Sequence, residues 1–264
     1  DFVKYGLFLK SNSTFIDDKL GVSLGVRLDQ DNFTKENNIF ENISPRLALS
    51  LIISEDKKWK FNFATGRYFK IPTYTSLGFK NFDNVFLNKS SKYTRSDHVV
   101  GGFEFNWTES SRFTFEAFYK KYNNYPVSKV DGVSLANKGA DFEVLGNEEI
   151  LTIGKGKSYG LEFLYQQKLK DNFYGILSYT FFYSKFSGLN KIYLPSVWDN
   201  RHLLSFTGGY KLKKNWEIST KIKFTGKTPY SPVDIVSSTQ SYPEIIFDYS
   251  QIGNYYLNDF TKLD

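Results

Sequence analysis

Two histidines, each close to an aspartate, are the residues of this sequence that could form a catalytic or metal-binding site. His98 follows Asp97 directly in "RSDHVV", and His202 follows Asp199 in "WDNRHLL". An imidazole held by a carboxylate can act as a general base, and a histidine can also ligate a metal or haem. Both histidines stand where a polar loop changes into an alternating pattern. We therefore favour a structural role and predict neither a catalytic residue nor a metal site.

The segment "WDNRH" supports the structural interpretation in most detail. Asp199 and Arg201 would tie a loop to the rim of the following strand, and Trp198 would pack nearby. From His202 to Leu212 one parity carries His, Leu, Phe, Gly, Tyr and Leu. Such alternation is typical of a strand with one apolar face. Trp198, Asp199, Arg201 and His202 are therefore predicted to mark the entry to a strand.

The composition of the 264-residue chain fits strands that bury only one face. Phe and Tyr number 26 and 19, and aromatic residues make up 19% of the chain, yet the mean hydropathy is −0.41. There is no Cys, which excludes disulfides and thiolate chemistry. The net charge of +6 is spread along the chain, which argues against nucleic-acid binding. No apolar run is long enough for a transmembrane helix, but the alternating strands of a membrane barrel give only a weak hydropathy signal.

Ten segments of the chain alternate between apolar and polar residues, which predicts β-strands. The first two cover about 2–10 and 19–29. The next six flank the short polar stretches "SEDKK", "TESS" and "KLKDN" in pairs. The ninth follows His202, and the tenth begins near Trp216. A period of two that recurs so often indicates an all-β fold.

The connections between these segments alternate strictly between short and long. The short ones lie near 11–18, 54–57, 108–111, 169–171 and 213–214, and the long ones near 30–44, 70–97, 123–157 and 185–200 and after 226. Outer-membrane barrels combine short periplasmic turns with long extracellular loops. Ten residues tilted by about 45° span roughly 23 Å, close to the apolar band of such barrels. Trp59, Trp107 and Trp216 stand near short turns, where an interfacial aromatic belt is expected.

The direction of the strands predicts that this barrel is incomplete. If the short turns are periplasmic, the first segment runs toward the periplasm and the tenth runs away from it. Bacterial barrels have an even strand number, so an odd number of strands is expected on each side of 1–264. We predict that 1–264 is a partial outer-membrane β-barrel domain, with the terminal strands and any plug domain outside it.

Five stretches resemble the barrel of TonB-dependent outer-membrane receptors, particularly the Bacteroidota type, and together they cover most of 43–232. They are "ISPRLALSL", "FATGRYFKIPTYTSL", "SDHVVGGFEFNWTESSRFTFEAFYKKYNNYP", "GKGKSYGLEF" and "WDNRHLLSFTGGYKLKKNWEISTKIKFTGKTPYSP". The resemblance implies the C-terminal portion of an antiparallel barrel of about 22 strands that holds an N-terminal plug. In this family "TKLD" would open a further strand.

The resemblance also implies a function and a set of partners. A receptor of this kind imports a scarce nutrient, such as a siderophore, haem, a vitamin, a peptide or a glycan, with energy from TonB. The implied partners are outer-membrane lipid, the TonB complex through an N-terminal region outside this chain, the small or oligomeric nutrient and a surface lipoprotein. No nucleic acid, no cofactor and no enzymatic activity are expected. Substrate contacts are predicted in the long extracellular loops, at Tyr68, Tyr74, Tyr93, Tyr125 and Tyr230.

Two alternatives from other classes stay open at this point. A barrel-borne hydrolase would need paired acidic residues and a histidine at the extracellular rim, for which Asp97–His98 and Asp199–His202 are the candidates. A receptor-like barrel could instead be a structural subunit of a larger surface complex.

The stretch "GKGKSYG" does not have the spacing of a phosphate-binding loop and precedes a strand, so Gly154 and Gly156 are predicted to lie at a flexible loop end.

Overall fold

A computed structural model describes residues 2–34, 38–139, 144–214 and 216–264, which form one large antiparallel sheet with long loops at one end. The strands are β1 (Lys4–Phe15), β2 (Leu20–Asp31), β3 (Ser44–Ile52), β4 (Trp59–Lys70), β5 (Thr94–Thr108), β6 (Ser111–Ser128), β7 (Ile150–Lys170), β8 (Phe173–Ser187), β9 (Leu194–Pro195), β10 (His202–Lys211), β11 (Glu217–Thr225), β12 (Pro229–Tyr230), β13 (Tyr255–Tyr256) and β14 (Phe260–Leu263).

The strands of the large sheet follow the order of the chain. The order is β1-β2-β3-β4-β5-β6-β7-β8-β10-β11-β14, with short β9 paired to β8. Every pairing is antiparallel, and all ten predicted segments are strands of this sheet. The further strand expected at "TKLD" is β14, which pairs with β11. The sheet therefore has the topology of a barrel wall.

The register gives the sheet an apolar face and a polar face. On the apolar face Ala117 lies opposite Leu161, and Leu161 lies opposite Phe181. One position along, on the polar face, Glu116 lies opposite Glu162. Since neighbouring residues of a strand point to opposite sides, the alternation read from the sequence places mainly apolar residues on one face and mainly polar residues on the other.

The connections segregate to two ends of the sheet, as the sequence predicted. The short-turn end contains 16–19, 53–58, 109–110, 171–172 and 212–216, and the long-loop end contains 32–43, 71–93, 129–149, 188–201 and 226–259. At one of the two shortest turns, Asp171 and Asn172 both have positive φ (50° and 67°). This is the conformation of a type I′ hairpin turn, and Asn and Asp adopt it at low cost.

Several predicted boundaries were wrong because the hairpins are longer than the alternation suggested. β1 continues to Phe15 in what was assigned to the first short connection, and β6 and β7 extend to Ser128 and from Ile150. The stretch "GKGKSYG" consequently lies within β7. Gly156 is buried there, and a Cβ at this position would lie 2.3 Å from the Phe186 ring. Close packing, and not a flexible loop end, explains this glycine.

Aromatic side chains form a belt on the apolar face near the short-turn end. Trp59 stacks on Phe105 with ring centroids 4.5 Å apart, and Phe113 stacks on Tyr165 at 4.7 Å. Trp107 contacts Phe113 and is 61% exposed. Exposed aromatic residues at this level match the interfacial belt of membrane barrels.

Short helices occur only in the long connections of the described chain. They are α1 (Tyr74–Gly78) and α2 (Ile235–Gln240), with 3₁₀ turns at Ile39–Asn42, Asn88–Ser90 and Tyr249–Gln251. Within the described ranges, none of the helices has the length and apolar character needed to cross a membrane. Strands β12 and β13 form a separate two-stranded sheet in the last long loop.

Candidate functional site

The long loops pack against one another and form a layer over the long-loop end of the sheet. Asn88 is 1% exposed, and its side-chain amide donates to the carbonyl oxygens of Ser76 (2.7 Å) and Glu148 (2.8 Å). Its side-chain oxygen accepts from the backbone amide of Ile150 at 2.9 Å. One side chain thus joins the loop 71–93 to the loop 129–149 and to the start of β7.

A second buried contact joins the loop 71–93 to the end of β2. Tyr93 is 1% exposed, and its hydroxyl donates to Asp31 at 2.9 Å. Burial and this acceptor raise the pKa of Tyr93 well above its usual range. Tyr93 packs with Ile71 and Leu77 in a small apolar cluster. The loop 71–93 is therefore folded around its own core.

A buried lysine organises the loop 129–149. Lys138 is 7% exposed and forms ion pairs with Asp131 (2.7 Å) and Glu148 (3.0 Å). Glu148 also accepts a hydrogen bond from the hydroxyl of Ser128 at the end of β6. A buried charge is tolerated only when it is paired. These contacts therefore fix the loop 129–149 to the end of β6.

The segment "WDNRH" is tied to β8 through Ser184. Asp199 is fully buried and accepts from the backbone amide of Ser184 at 3.0 Å, and the indole N–H of Trp198 donates to the hydroxyl of Ser184 at 3.0 Å. Arg201 forms an ion pair with Asp199 at 3.3 Å and lies 3.8 Å over the ring of Tyr183. Burial raises the pKa of Asp199, although the Ser184 amide and Arg201 oppose that shift.

The geometry does not bring either histidine together with its neighbouring aspartate. His98 lies on the polar face, where it contacts the hydroxyl of Ser96 (2.5 Å) and the ring of Tyr68 (4.6 Å). Asp97 points to the other face and pairs with Arg67 at 2.7 Å.

The second histidine is separated from its aspartate in a similar way. His202 is exposed on the apolar face and contacts the hydroxyl of Tyr179 at 2.8 Å, whereas Asp199 is buried against Ser184. Among the described residues, no group of three His, Cys, Asp or Glu could hold a metal ion.

The five tyrosines predicted as substrate contacts occupy different environments. Tyr74 begins α1 and is 66% exposed, and Tyr230 lies in β12 beside Tyr255. Tyr68 and Tyr125 lie in strands β4 and β6, which corrects their expected place in loops. Tyr93 is buried in the loop core, so the expectation that it contacts a substrate does not agree with its position.

The polar face below the loop layer carries charged and aromatic groups. The guanidinium of Arg46 lies 4.5 Å over the ring of Tyr68. Nearer the short-turn end, Glu104 pairs with Lys60 at 3.4 Å and with Arg112 at 3.8 Å. A charged, hydrated surface of this kind can guide a polar solute along the strands.

Two residues that hold the loop layer together, Asn88 and Lys138, were missed in the sequence. Asn88 and Lys138 stand in irregular stretches, and their partners are far away in the chain or lack a recurring spacing. Arg46 was visible in the motif "ISPRLALSL", but its contact with Tyr68 was not. The one available signal was the presence of a lysine among apolar and small residues in "VSLANKGA".

One protein family matches almost the whole chain. The family described as "TonB dependent receptor-like, beta-barrel" matches residues 1–263. No curated protein sequence matches the chain.

Solved structures of outer-membrane receptors resemble the fold at low sequence identity. The ferripyoverdine receptor of Pseudomonas aeruginosa is 12% identical over 98% of this chain and 31% of its own, with a TM-score of 0.65. A mutant of the ferric enterobactin receptor of Pseudomonas aeruginosa is 17% identical over 98% and 36%, with a TM-score of 0.64. The outer membrane transporter YddB of Escherichia coli is 13% identical over 99% and 38%, with a TM-score of 0.63. The chain thus spans about a third of these structures.

Proposed function

The chain belongs to the TonB-dependent receptor-like β-barrel family, and we propose that it forms part of the barrel wall of a receptor that imports a scarce nutrient across the bacterial outer membrane. The observation that carries this proposal is the match of the family along residues 1–263. It agrees with a sheet in which ten long strands alternate short turns with long loops. In such a barrel the apolar face contacts lipid and the polar face lines the lumen.

The loop layer is the place where the nutrient would first bind. Loops on a rigid scaffold commonly carry binding residues, and here the loops are fixed to the wall by Asn88, Lys138 and Asp199. Tyr74 and Tyr230 would contact the nutrient from this layer, and Tyr68 would meet it farther down, on the polar face. Tyr125 contacts Phe186, with ring centroids 4.5 Å apart, and would lie behind these three tyrosines.

The nutrient class follows from the family and not from a single residue. We propose a siderophore, haem, a vitamin, a peptide or a glycan, with ferric siderophores tested first because pyoverdine and enterobactin are named in the similar structures. Import would use TonB, which would act through a part of the protein outside this chain. A surface lipoprotein that covers the loop layer is a further proposed partner. We propose no enzymatic activity for this chain.

The proposed place of the chain is the C-terminal portion of a larger plugged barrel, of the Bacteroidota type. The quoted motifs support this placement. The similar structures are about three times as long as the chain, which supports a larger barrel. In the described part of the sheet β1 pairs only with β2 and β14 only with β11. A lipid-exposed strand edge is costly, so further strands of the same wall would cover these edges.

Growth of a deletion strain on single nutrients tests the proposal. Cells that lack the gene are expected to lose growth on one source among ferric siderophores, haem, cobalamin, peptides and glycans, and removal of TonB should produce the same loss. If deletion leaves growth on every source unchanged while other surface proteins disappear from the outer membrane, the structural-subunit alternative holds instead.

Tyrosine variants test the location of the binding site once a nutrient is known. Tyr74→Ala and Tyr230→Ala are each expected to weaken binding about 5- to 30-fold, since an aromatic contact of about 1–2 kcal/mol is lost. Tyr210→Ala is the matched control, because Tyr210 lies near the short-turn end on the apolar face. Equal affinity in all three variants would contradict a site in the loop layer.

A further inference from the structure

Lysine side chains form a row across three neighbouring strands on the apolar face, close to the long-loop end. Lys121 of β6 lies opposite Lys157 of β7, and Lys157 lies opposite Lys185 of β8. Residues directly opposite each other in an antiparallel pair have Cβ atoms about 4.5–5.5 Å apart. The backbone therefore places the three lysine side chains next to one another. We call Lys121, Lys157 and Lys185 the lysine row.

A row of tyrosines lies directly below the lysine row on the same face. Tyr119, Tyr159 and Tyr183 are opposite one another in the register. Tyr159 stacks on Tyr183 with centroids 5.2 Å apart. Tyrosine is enriched at membrane–water interfaces, so this row marks the upper edge of the apolar band. The lysine row, two residues farther along each strand, stands at the level of the lipid head groups.

The lysine row is one half of a longer row whose other half is neutralised. Next to Lys121 lies Asp97, which lies opposite Arg67 in turn. Asp97 pairs with Arg67 at 2.7 Å and with Arg95 at 3.2 Å. The one carboxylate of this half is thus the counter-ion of two arginines.

The lysine row lacks such counter-ions. In the part of the chain that the structure describes, none of its three lysines forms an ion pair, and the ammonium of Lys157 lies 4.7 Å over the ring of Tyr193. Asp199 attracts Lys185, but that carboxylate is buried and already engaged by Arg201. Like charges placed directly opposite one another destabilise a sheet. An external anion would remove this repulsion.

A groove on the same face continues from these charges into the apolar band. Its volume is about 770 Å³, and its lining includes Leu47, Val99 and Tyr119 together with Arg67 and Lys121. The upper end carries Arg67, Lys121 and Asp97, with an excess of positive charge, and the walls below are apolar. This arrangement matches a molecule that has an anionic head and acyl chains. A soluble anion would use only the upper part.

From this geometry we propose that the lysine row is a binding site for a phosphate-bearing glycolipid of the outer leaflet. The phosphates contact Lys121, Lys157 and Lys185, and an acyl chain lies in the groove beside Tyr119. Basic clusters at the membrane surface bind phosphorylated head groups through such charge complementarity. The inference goes beyond nutrient import and needs only the outward orientation of the long-loop end.

Lipid binding by the purified protein in detergent tests the site. The probes are lipid A with both phosphates and the same lipid A after enzymatic removal of its phosphates. The triple variant K121Q/K157Q/K185Q is expected to bind the phosphorylated lipid at least tenfold more weakly, because each lysine near a membrane surface contributes about fivefold. Its binding of the dephosphorylated lipid should not change. The difference in binding of the phosphorylated lipid between the triple variant and the unchanged protein should also become smaller in high salt.

Two variants keep the result interpretable. K121R/K157R/K185R retains the charges and should bind as the unchanged protein does, and K57Q/K170Q/K213Q removes three charges at the short-turn end and should alter binding less than twofold. Heat-modifiable migration on gels verifies that each variant is folded. Equal binding of the two lipid A forms, equal loss in the short-turn control, or complete displacement by excess inorganic phosphate would each overturn the proposal.

Discussion

The wall of the sheet and the loop layer above it are held together by different interactions. In the wall, backbone ladders join each strand to its neighbours, and side chains of one kind meet across the strands, as with Ala117, Leu161 and Phe181. In the loop layer, single buried polar side chains make several specific contacts each, as Asn88 and Lys138 do. The wall spreads its stabilisation over many equivalent positions, whereas the layer concentrates it on a few.

This difference predicts that the two regions respond differently to substitution. An apolar residue of the wall can be replaced by another apolar residue with little effect on stability. A charged residue at the same position destabilises the wall, because the charge is placed in lipid. Removing the hydrogen-bonding groups of a polar residue in the layer destabilises the layer, because the groups that were bonded to it then stay buried without a hydrogen bond.

The largest expected effect is that of Asn88→Ala. The substitution leaves the carbonyl oxygen of Glu148 and the amide of Ile150 without partners, and it removes one of the two hydrogen bonds to the carbonyl oxygen of Ser76. We expect a local destabilisation of about 3 kcal/mol or more, from about 1–3 kcal/mol for each buried group left unsatisfied. Hydrogen exchange at the Ile150 amide should report it, while amides in the middle of β7 stay protected.

Asn190→Ala is the matched control for that variant. Asn190 lies in an exposed part of the loop 188–201, where its side chain accepts one hydrogen bond from the Ile192 amide at 3.0 Å. A surface change of this kind should alter stability by about 0.5 kcal/mol or less. If both asparagine variants had equal effects, the layer would not depend on Asn88.

The next effect compares two neighbouring residues of the wall. Leu161→Arg places a charge on the apolar face, near the middle of β7, and should destabilise the protein in lipid by about 2–4 kcal/mol. Glu162→Arg places the same charge on the polar face, opposite Glu116, and should cost less than about 1 kcal/mol. Urea titration in lipid vesicles measures both. Equal costs would show that the two faces are assigned wrongly.

The smallest expected effect is a dependence of the loop 188–201 on pH. Burial raises the pKa of Asp199, so the folded loop binds its proton more tightly than the unfolded chain does. The stabilisation of the folded loop by this proton is therefore complete at a pH below the usual Asp pKa of about 3.9. It is lost as the pH rises through the raised pKa of Asp199. The opening free energy of the Ser184 amide, from exchange rates corrected for intrinsic rates, should fall across this window. Asp199→Asn should flatten the profile, and an unchanged profile would exclude Asp199 as its cause.

The wall could be predicted from the sequence because its signal is local. Residues such as Leu161 and Glu162 differ in polarity at a spacing fixed by the strand itself, so strand positions and faces follow without knowledge of distant partners. The limits of the hairpins were less certain. Beyond the apolar band the alternation is no longer required, and β6 and β7 continue there in a segment assigned to a loop.

The loop layer could not be predicted because its partners are distant in the chain. Asn88 contacts Glu148 across 60 residues and Ile150 across 62, and no spacing rule connects them. The same limit explains why Tyr93 was placed among substrate contacts when it is buried on Asp31. The placement of "WDNRH" at a strand entry succeeded because the change from loop to alternation is itself a local feature.

The sequential order of the strands has a consequence for how the protein assembles. Strands β1 to β8 each pair with their neighbours in the chain, so each hairpin needs only a contiguous segment and pays a small loop-closure entropy. The hydrogen bonds of Asn88 to Glu148 and Ile150 can form only after β7 and the loop 129–149 are in place. Assembly can therefore proceed hairpin by hairpin from one edge, and the loop layer forms late, after the strands beneath it are in place.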